Sequence, residues 1–146
     1  MTKLPYQLDF FEGEDGEKPC LGWIKDDLSA AKRRALGAAM EQILQEQGLG
    51  VCDDKAWGKQ LRGGLFEFRL MRKRRYEVKQ KNRKIEKVER ISLRVFCHAH
   101  GDHRILLLHG YDKGEDPKSR RQAREIELAR QRLREWRARQ RKQKKK

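Results

Sequence analysis

Glu67, Arg69, Arg94, His109, Tyr111 and Lys113 are the side chains of this sequence whose types suit phosphoryl transfer on RNA. In that reaction the transition state gathers charge on its equatorial oxygens, and preorganised guanidinium or ammonium groups stabilise it. Arg69, Arg94 and Lys113 supply such cations. The reaction also needs a base for an attacking 2′-hydroxyl and an acid for the departing 5′-oxygen. His109 titrates near neutrality and can serve as either, with Glu67 or Tyr111 sharing the work. A plainer reading stands beside this one. Glu67 and Arg69, at i and i+2, suit the solvent face of any strand, and His109 suits a hydrogen-bonded strand end.

The elements that must position these groups are legible as alternating patterns. LFEFRL (65–70) places Phe66, Phe68 and Leu70 on one face and Leu65, Glu67 and Arg69 on the other. ISLRVFC (91–97) repeats the pattern, with Ile91, Leu93, Val95 and Cys97 opposite Ser92, Arg94 and Phe96. Arg69 and Arg94 thus fall on faces the core does not require. HAHGDHR (98–104) reads as a hairpin turn with Gly101-Asp102 at its tip, and RILLLHGY (104–111) as the last strand, an apolar run that delivers His109, Tyr111 and Lys113 to its edge. YQLDFF (6–11) reads as a first strand. Pro19 can open a short helix carrying Leu21, Ile24 and Leu28. Ser29 suits the N-cap of a second helix with the stripe Ala35/Leu36, Ala39/Met40, Ile43/Leu44, and Gly48 suits its C-terminal stop. Residues 49–64 read as a loop. Beyond Pro117, residues 118 to about 141 read as a charged helix with a narrow seam, Ile126, Ala129, Leu133 and Trp136.

The chain has 146 residues and net charge +15, which predicts one domain over 1–116 and a basic helix and tail over 117–146. The charge is concentrated. Residues 72–90 hold 10 Lys/Arg against 3 Glu, and residues 117–146 hold 14 against 3, so the remainder is slightly acidic. Two such basic appendages suit a polyanion, because phosphate contacts release condensed counterions. The expected RNA or ribosome contacts are Arg72, Lys73, Arg74, Arg75, Lys79, Lys81, Arg83 and Lys84 in the first block, and Lys118, Arg120 and Arg121 in the second. The final RKQKKK suits a solvated tail. The first block reads as a hairpin extension turning near 81–83, with a disordered basic loop as the alternative.

No apolar stretch approaches the roughly 20 residues needed to span a bilayer. MTKLPYQLDFF lacks a signal-peptide h-region, which predicts a cytoplasmic protein with no membrane partner. Cys20, Cys52 and Cys97 are expected as reduced thiols. CHAHGDH (97–103) holds possible metal ligands, but Cys97 and His98 point to opposite faces of a strand and the spacing matches no zinc pattern. Neither metal nor cofactor is expected.

KQLRGGLFEFR (59–69), LRVFCHAHGDHRILLLHGYDK (93–113) and AREIELARQR (123–132) together resemble the phage-derived HigB-like branch of the RelE/ParE toxin superfamily. The resemblance covers most of residues 59–132. It implies an α+β fold, with a small twisted antiparallel sheet of about four strands backed by two N-terminal helices, followed by a basic C-terminal helix. It further implies a metal-independent endoribonuclease that enters the ribosomal A site, contacts rRNA, cuts mRNA to leave a 2′,3′-cyclic phosphate, and is silenced by a helix-turn-helix, HigA-like antitoxin. By position, Arg94 matches the arginine on the scissile phosphate, Arg69 and Glu67 the preceding groove strand, Lys113 the cation past the last strand, and His109 the histidine of L-L-H-G. The sequence departs from the family where two adjacent lysines are usual: Asp112 precedes a single Lys113, and Glu115 and Asp116 follow. The rival expectation is a member without nuclease activity, either a ParE-like toxin acting on gyrase or a basic RNA-binding module.

Overall fold

Two apolar stripes on opposite faces of one sheet organise the α+β fold. The computed structural model describes residues 5–144; Lys145 and Lys146 of the basic tail lie outside the described residues. The strands are β1 (Gln7–Phe10), β2 (Gly58–Gln60), β3 (Phe66–Gln80), β4 (Arg83–His100) and β5 (Arg104–Asp112). Their order across the sheet is β1-β5-β4-β3-β2.

This sheet has five strands and mixed pairing, where the sequence predicts about four, all antiparallel. β1 runs parallel to β5, in register from Gln7↔Arg104 to Phe10↔Leu107. A parallel neighbour demands a long crossover, and the intervening helices and the two long strands supply it. The second extra feature, β2, lies inside the segment read as a loop. Gly58, Lys59 and Gln60 have little strand character of their own, and they become a strand only by pairing with the edge of β3.

One face of the sheet is covered by α1 (Pro19–Gly22) and α2 (Ala30–Ala39). α1 runs on through a wide turn over Trp23–Asp27, and α2 through Met40–Leu44 into α3 (Gln45–Gln47). The Ser29 side chain caps α2 by accepting from the Lys32 N–H at 3.2 Å. Gly48 ends the helical run at φ +54. Cys20, Leu28, Leu36, Ala39 and Leu44 pack onto Phe66, Phe68, Leu70, Leu93, Val95, Cys97, Ile105 and Leu107. A side chain at Gly110 would run into the Trp23 indole, so glycine there lets the helix layer sit close to β5.

The opposite face is covered by α4 (Ser119–Lys144). Ala129 and Leu133 are buried against Phe11, Leu65, Phe96, Leu106, Leu108 and Tyr111, with Ile126 and Trp136 at the margins. The expected seam is therefore the one used, but the helix is a layer of the fold and not an appendage. Among the described residues, no helix is long and apolar enough to cross a membrane.

The basic block at 72–90 is an ordered hairpin arm. β3 and β4 pair without interruption out to Gln80↔Arg83. Lys81 and Asn82 close it with φ of +50 and +63, the double left-handed signature of a two-residue hairpin turn.

Candidate functional site

A β-bulge decides which side chains share the site. Cys97 pairs with Leu107 and Phe96 with His109, so Leu108 is an extra residue on β5. The bulge switches the strand's parity. Before it, Leu106 faces α4; after it, His109 and Tyr111 do, opposite Phe96 and Arg94. Without Leu108 as an insertion, Gly110 and Asp112 would face the site instead. Glu67, Arg69 and Arg94 occupy the same face on β3 and β4, so all six sequence-derived candidates meet on one surface.

Glu67 is the centre. It is fully buried, and its two carboxylate oxygens are held from three sides. Arg69 Nε donates to Oε2 at 2.7 Å, Gln122 Nε2 from α4 donates to Oε1 at 3.0 Å, and Arg94 Nε lies 3.7 Å from Oε1. Arg94 is only 4% exposed. Its Nη1 donates to the Leu93 carbonyl at 3.1 Å and to Ser92 Oγ at 3.3 Å, which fixes the plane of the guanidinium. Lys113, just past β5, shares the field of Arg94, Arg69, Glu67 and Lys59; burial and then the Arg94 cation hold its ammonium below the usual lysine range. Lys59 stands opposite Glu67 in the β2–β3 register. Two arginines thus pair with one buried carboxylate, and Lys59 and Lys113 add their charge to the same neighbourhood.

Two buried donors in this cluster make no hydrogen bond among the described residues: the Tyr111 hydroxyl, and Arg94 Nε, whose ion-pair partner Glu67 Oε1 stays 3.7 Å away. Buried polar groups left unpaired are expensive, and their presence beside a cationic cluster marks a place where an anion's oxygens would fit. Burial pushes the Tyr111 phenol up to about 12, so it keeps its proton and can donate.

His109 is placed differently from the open groove edge that the sequence suggested. Its Nε2 contacts Glu125 and its Nδ1 lies 2.9 Å from Arg132 Nη1, both on α4. Arginine can only donate, so Nδ1 accepts and the ring proton sits on Nε2. Arg132 also donates to the Leu108 carbonyl at 2.9 Å. The ring is enclosed by α4 with 14% of its side chain exposed. Burial lowers its pKa from the ordinary 6.5, against the pull of Glu125.

The acidic departures from the toxin pattern are directed elsewhere. Period-two alternation turns Asp112 to the α2 side, where Lys32 Nζ lies 2.5 Å from its Oδ2. Glu115 lies 3.7 Å from the same ammonium, and Asp116 is 3.6 Å from Arg121. Among the described residues none of the three pairs with Lys59, Arg69, Arg94 or Lys113, so the site keeps its positive character.

On the arm, strand alternation divides the basic residues between two faces. Lys73, Arg75, Lys79 and Lys84 share the face of Arg69 and Arg94, whereas Arg72, Arg74 and Arg83 share that of Leu70 and Leu93. All are exposed, as is Lys81 at the tip. Arg74 is tied to Glu89 at 3.2 Å and lies over the Tyr76 ring. On α4, Lys118 and Arg120 are exposed. Arg121 turns inward, donating to Glu125 at 2.5 Å and lying over the Tyr111 ring. The residues missed by sequence reasoning are Lys59, Gln122, Glu125 and Arg132. Gln122 and Glu125, each four residues before a seam position (Ile126 and Ala129), lie on the seam's own side of the helix, and that spacing was available in the sequence.

His98 and His100 continue the site face along β4 and contact Trp136, with ring centroids 5.5 Å and 4.7 Å away. Cys97 lies in the opposite core. Among the described residues, no three of His, Cys, Asp or Glu are grouped to hold a metal. Burial lowers the pKa of His98, His100 and His109 alike. The unfolded chain therefore takes up protons near 6.5 that the folded chain resists. Stability from these rings is fully present above that pH and is lost as pH falls through the lower folded values. Melting temperature should decline from pH 7.5 to 5; a flat profile would show that the rings protonate in place.

No family model matches the chain, and no curated protein matches it.

Proposed function

We propose that the chain is a RelE-like toxin of a type II toxin–antitoxin system, a metal-independent endoribonuclease that cuts mRNA in the ribosomal A site. The observation that carries this reading is the cationic cluster of Lys59, Arg69, Arg94 and Lys113, with two buried donors that make no hydrogen bond among the described residues. Such a cluster suits the pentavalent phosphorus formed when a 2′-oxygen attacks its neighbouring phosphate. That attack forms a P–O2′ bond and breaks P–O5′, leaving a 2′,3′-cyclic phosphate and a 5′-hydroxyl. Arg69 and Arg94 bear the developing charge, and Tyr111 donates to a non-bridging oxygen. Glu67 holds both arginines in place. Lys113, with its lowered pKa, is the group in the cluster best suited to exchange a proton. The exposed cations of the arm contact rRNA, and a HigA-like antitoxin silences the toxin in the cytoplasm.

One observation favours a rival. Both Glu67 oxygens and both His109 nitrogens are engaged, so neither group is free to act as the base for the 2′-hydroxyl. A toxin of this kind without nuclease activity, acting on gyrase or simply binding RNA, would look the same. Mapping 5′ ends of mRNA in a translating extract separates the two. New ends on ribosome-bound mRNA, absent from naked RNA, are the expected result; growth inhibition without new ends would transfer the protein to the rival class.

A further inference from the structure

The far end of the site face carries a second feature that the cationic cluster does not use. His100 lies six residues beyond Arg94 on β4, about 20 Å at the rise of a strand. α4 runs the same way, from Gln122 over Glu67 to Trp136 between His98 and His100. Between the last turns of α4 and the β1–β5 edge is a cleft of about 340 Å³, with Asp9, His100, Arg104, Trp136, Arg139 and Gln140 in its walls. A second hollow of about 420 Å³ shares His100, Trp136 and Gln140 and adds Arg137, Arg141 and Lys144. The two flank the same pair of rings.

Two atoms in the first cleft are buried without a partner among the described residues, His100 Nε2 and Arg139 Nε. Asp9 approaches the histidine only to 4.0 Å and is already engaged by Arg104 at 3.1 Å. Arg137 gives one N–H to the Gly63 carbonyl at 3.0 Å. No acidic partner to Arg137, Arg141 or Lys144 is found among the described residues. Aromatic faces, an amide able to donate and accept, unpaired buried ring and guanidinium nitrogens and surplus cations are what an unstacked nucleotide needs.

We propose that this cleft is a binding site for one nucleotide of single-stranded RNA, with its base against Trp136 and His100 and its phosphate on the Arg137–Lys144 side. The inference rests on the RNA-cleaving reading and adds the path of the strand: a chain held here and at Arg94 lies along α4. Stacking accepts any base, so the site adds affinity without sequence preference. A duplex, whose bases are paired and stacked, would not enter it.

The test is a titration, by fluorescence anisotropy, of a short 2′-O-methyl RNA that cannot be cleaved. Trp136→Leu should weaken binding about tenfold, and Trp136→Phe, which keeps a ring, should restore most of it. An RNA duplex of equal length should fail to displace the single strand. Binding by Trp136→Leu equal to that of the unsubstituted protein, or full displacement by duplex, would overturn the proposal. Because Trp136 also packs against the core, a second measurement uses the unsubstituted protein. Photocrosslinks from a 4-thiouridine strand should fall on the peptide containing His100 or Trp136, and crosslinks confined to residues 72–90 would count against the cleft. Cleavage on ribosomes is scored separately, so loss of the nuclease reading and loss of this site give different results.

Discussion

Arg94→Ala should abolish growth inhibition and reduce single-turnover mRNA cleavage on programmed ribosomes by about 10²–10³, the effect of removing one preorganised donor from an anion site. The large effect follows from position. Arg94 is 4% exposed, its guanidinium plane is fixed by the Leu93 carbonyl and Ser92, and its Nε, 3.7 Å from Glu67, makes no hydrogen bond. A donor already desolvated and already aimed costs nothing further to organise when charge develops. Lys113→Ala should fall in the same range if its ammonium both neutralises charge and exchanges a proton. His109→Gln should cost far less, because the imidazole is enclosed by Glu125 and Arg132. Product ends analysed for 2′,3′-cyclic phosphate complete the measurement. Full activity in both Arg94→Ala and Lys113→Ala would remove the cluster from the mechanism.

The second large effect is on folding. Leu133→Ala should destabilise the protein by about 3 kcal/mol, the usual cost of a cavity at a buried leucine. Set against a typical total of roughly 5–15 kcal/mol, this is a severe loss. Leu133 is 3% exposed and shares one buried cluster with Leu65, Phe96, Leu106 and Leu108 on the sheet face that α4 covers. Ending the chain before Ser119 should do more. It would bare that whole apolar face and leave Glu67 without Gln122 and His109 without Glu125, giving a collapsed or aggregating product. Ending it after Lys142 should leave stability almost unchanged while flattening the salt dependence of RNA binding. Chemical denaturation of the three chains is the check. If the chain ending before Ser119 unfolds as cooperatively as the full one, α4 is an appendage after all.

These two effects meet in the same helix. α4 supplies Leu133 to the core and Gln122 to Glu67, so substitutions at its packing face should also disturb the cluster. Activity measurements on such variants therefore need a melting curve beside them.

The local pattern of the sequence determined much of this architecture. Phe66, Phe68 and Leu70, and likewise Leu93, Val95 and Cys97, lie on the core face because a strand's side chains alternate whatever its neighbours do. Ser29, Gly48 and the seam from Ile126 to Trp136 were legible for the same reason: capping and helical periodicity are properties of a few consecutive residues. The types of the site residues were equally plain: Glu67, Arg69, Arg94, His109 and Tyr111 sit at strand positions within or beside the apolar runs, and Lys113 directly follows the last strand. What only tertiary structure decided depends on partners distant in the chain. Gly58–Gln60 becomes a strand through the edge of β3, and β1 runs parallel because it is β5 that lies beside it. The extra residue at Leu108 turns His109 and Tyr111 to the face that α4 covers, with Tyr111 opposite Arg94, and sends Asp112 to Lys32. A face that alternation alone labels as dispensable carries Leu65, Phe96, Leu106 and Leu108, and these need cover. α4 provides it, and in doing so encloses the imidazole that the sequence had offered to solvent. Periodicity is set by adjacent residues, but pairing, register and burial are set by what the rest of the chain brings alongside.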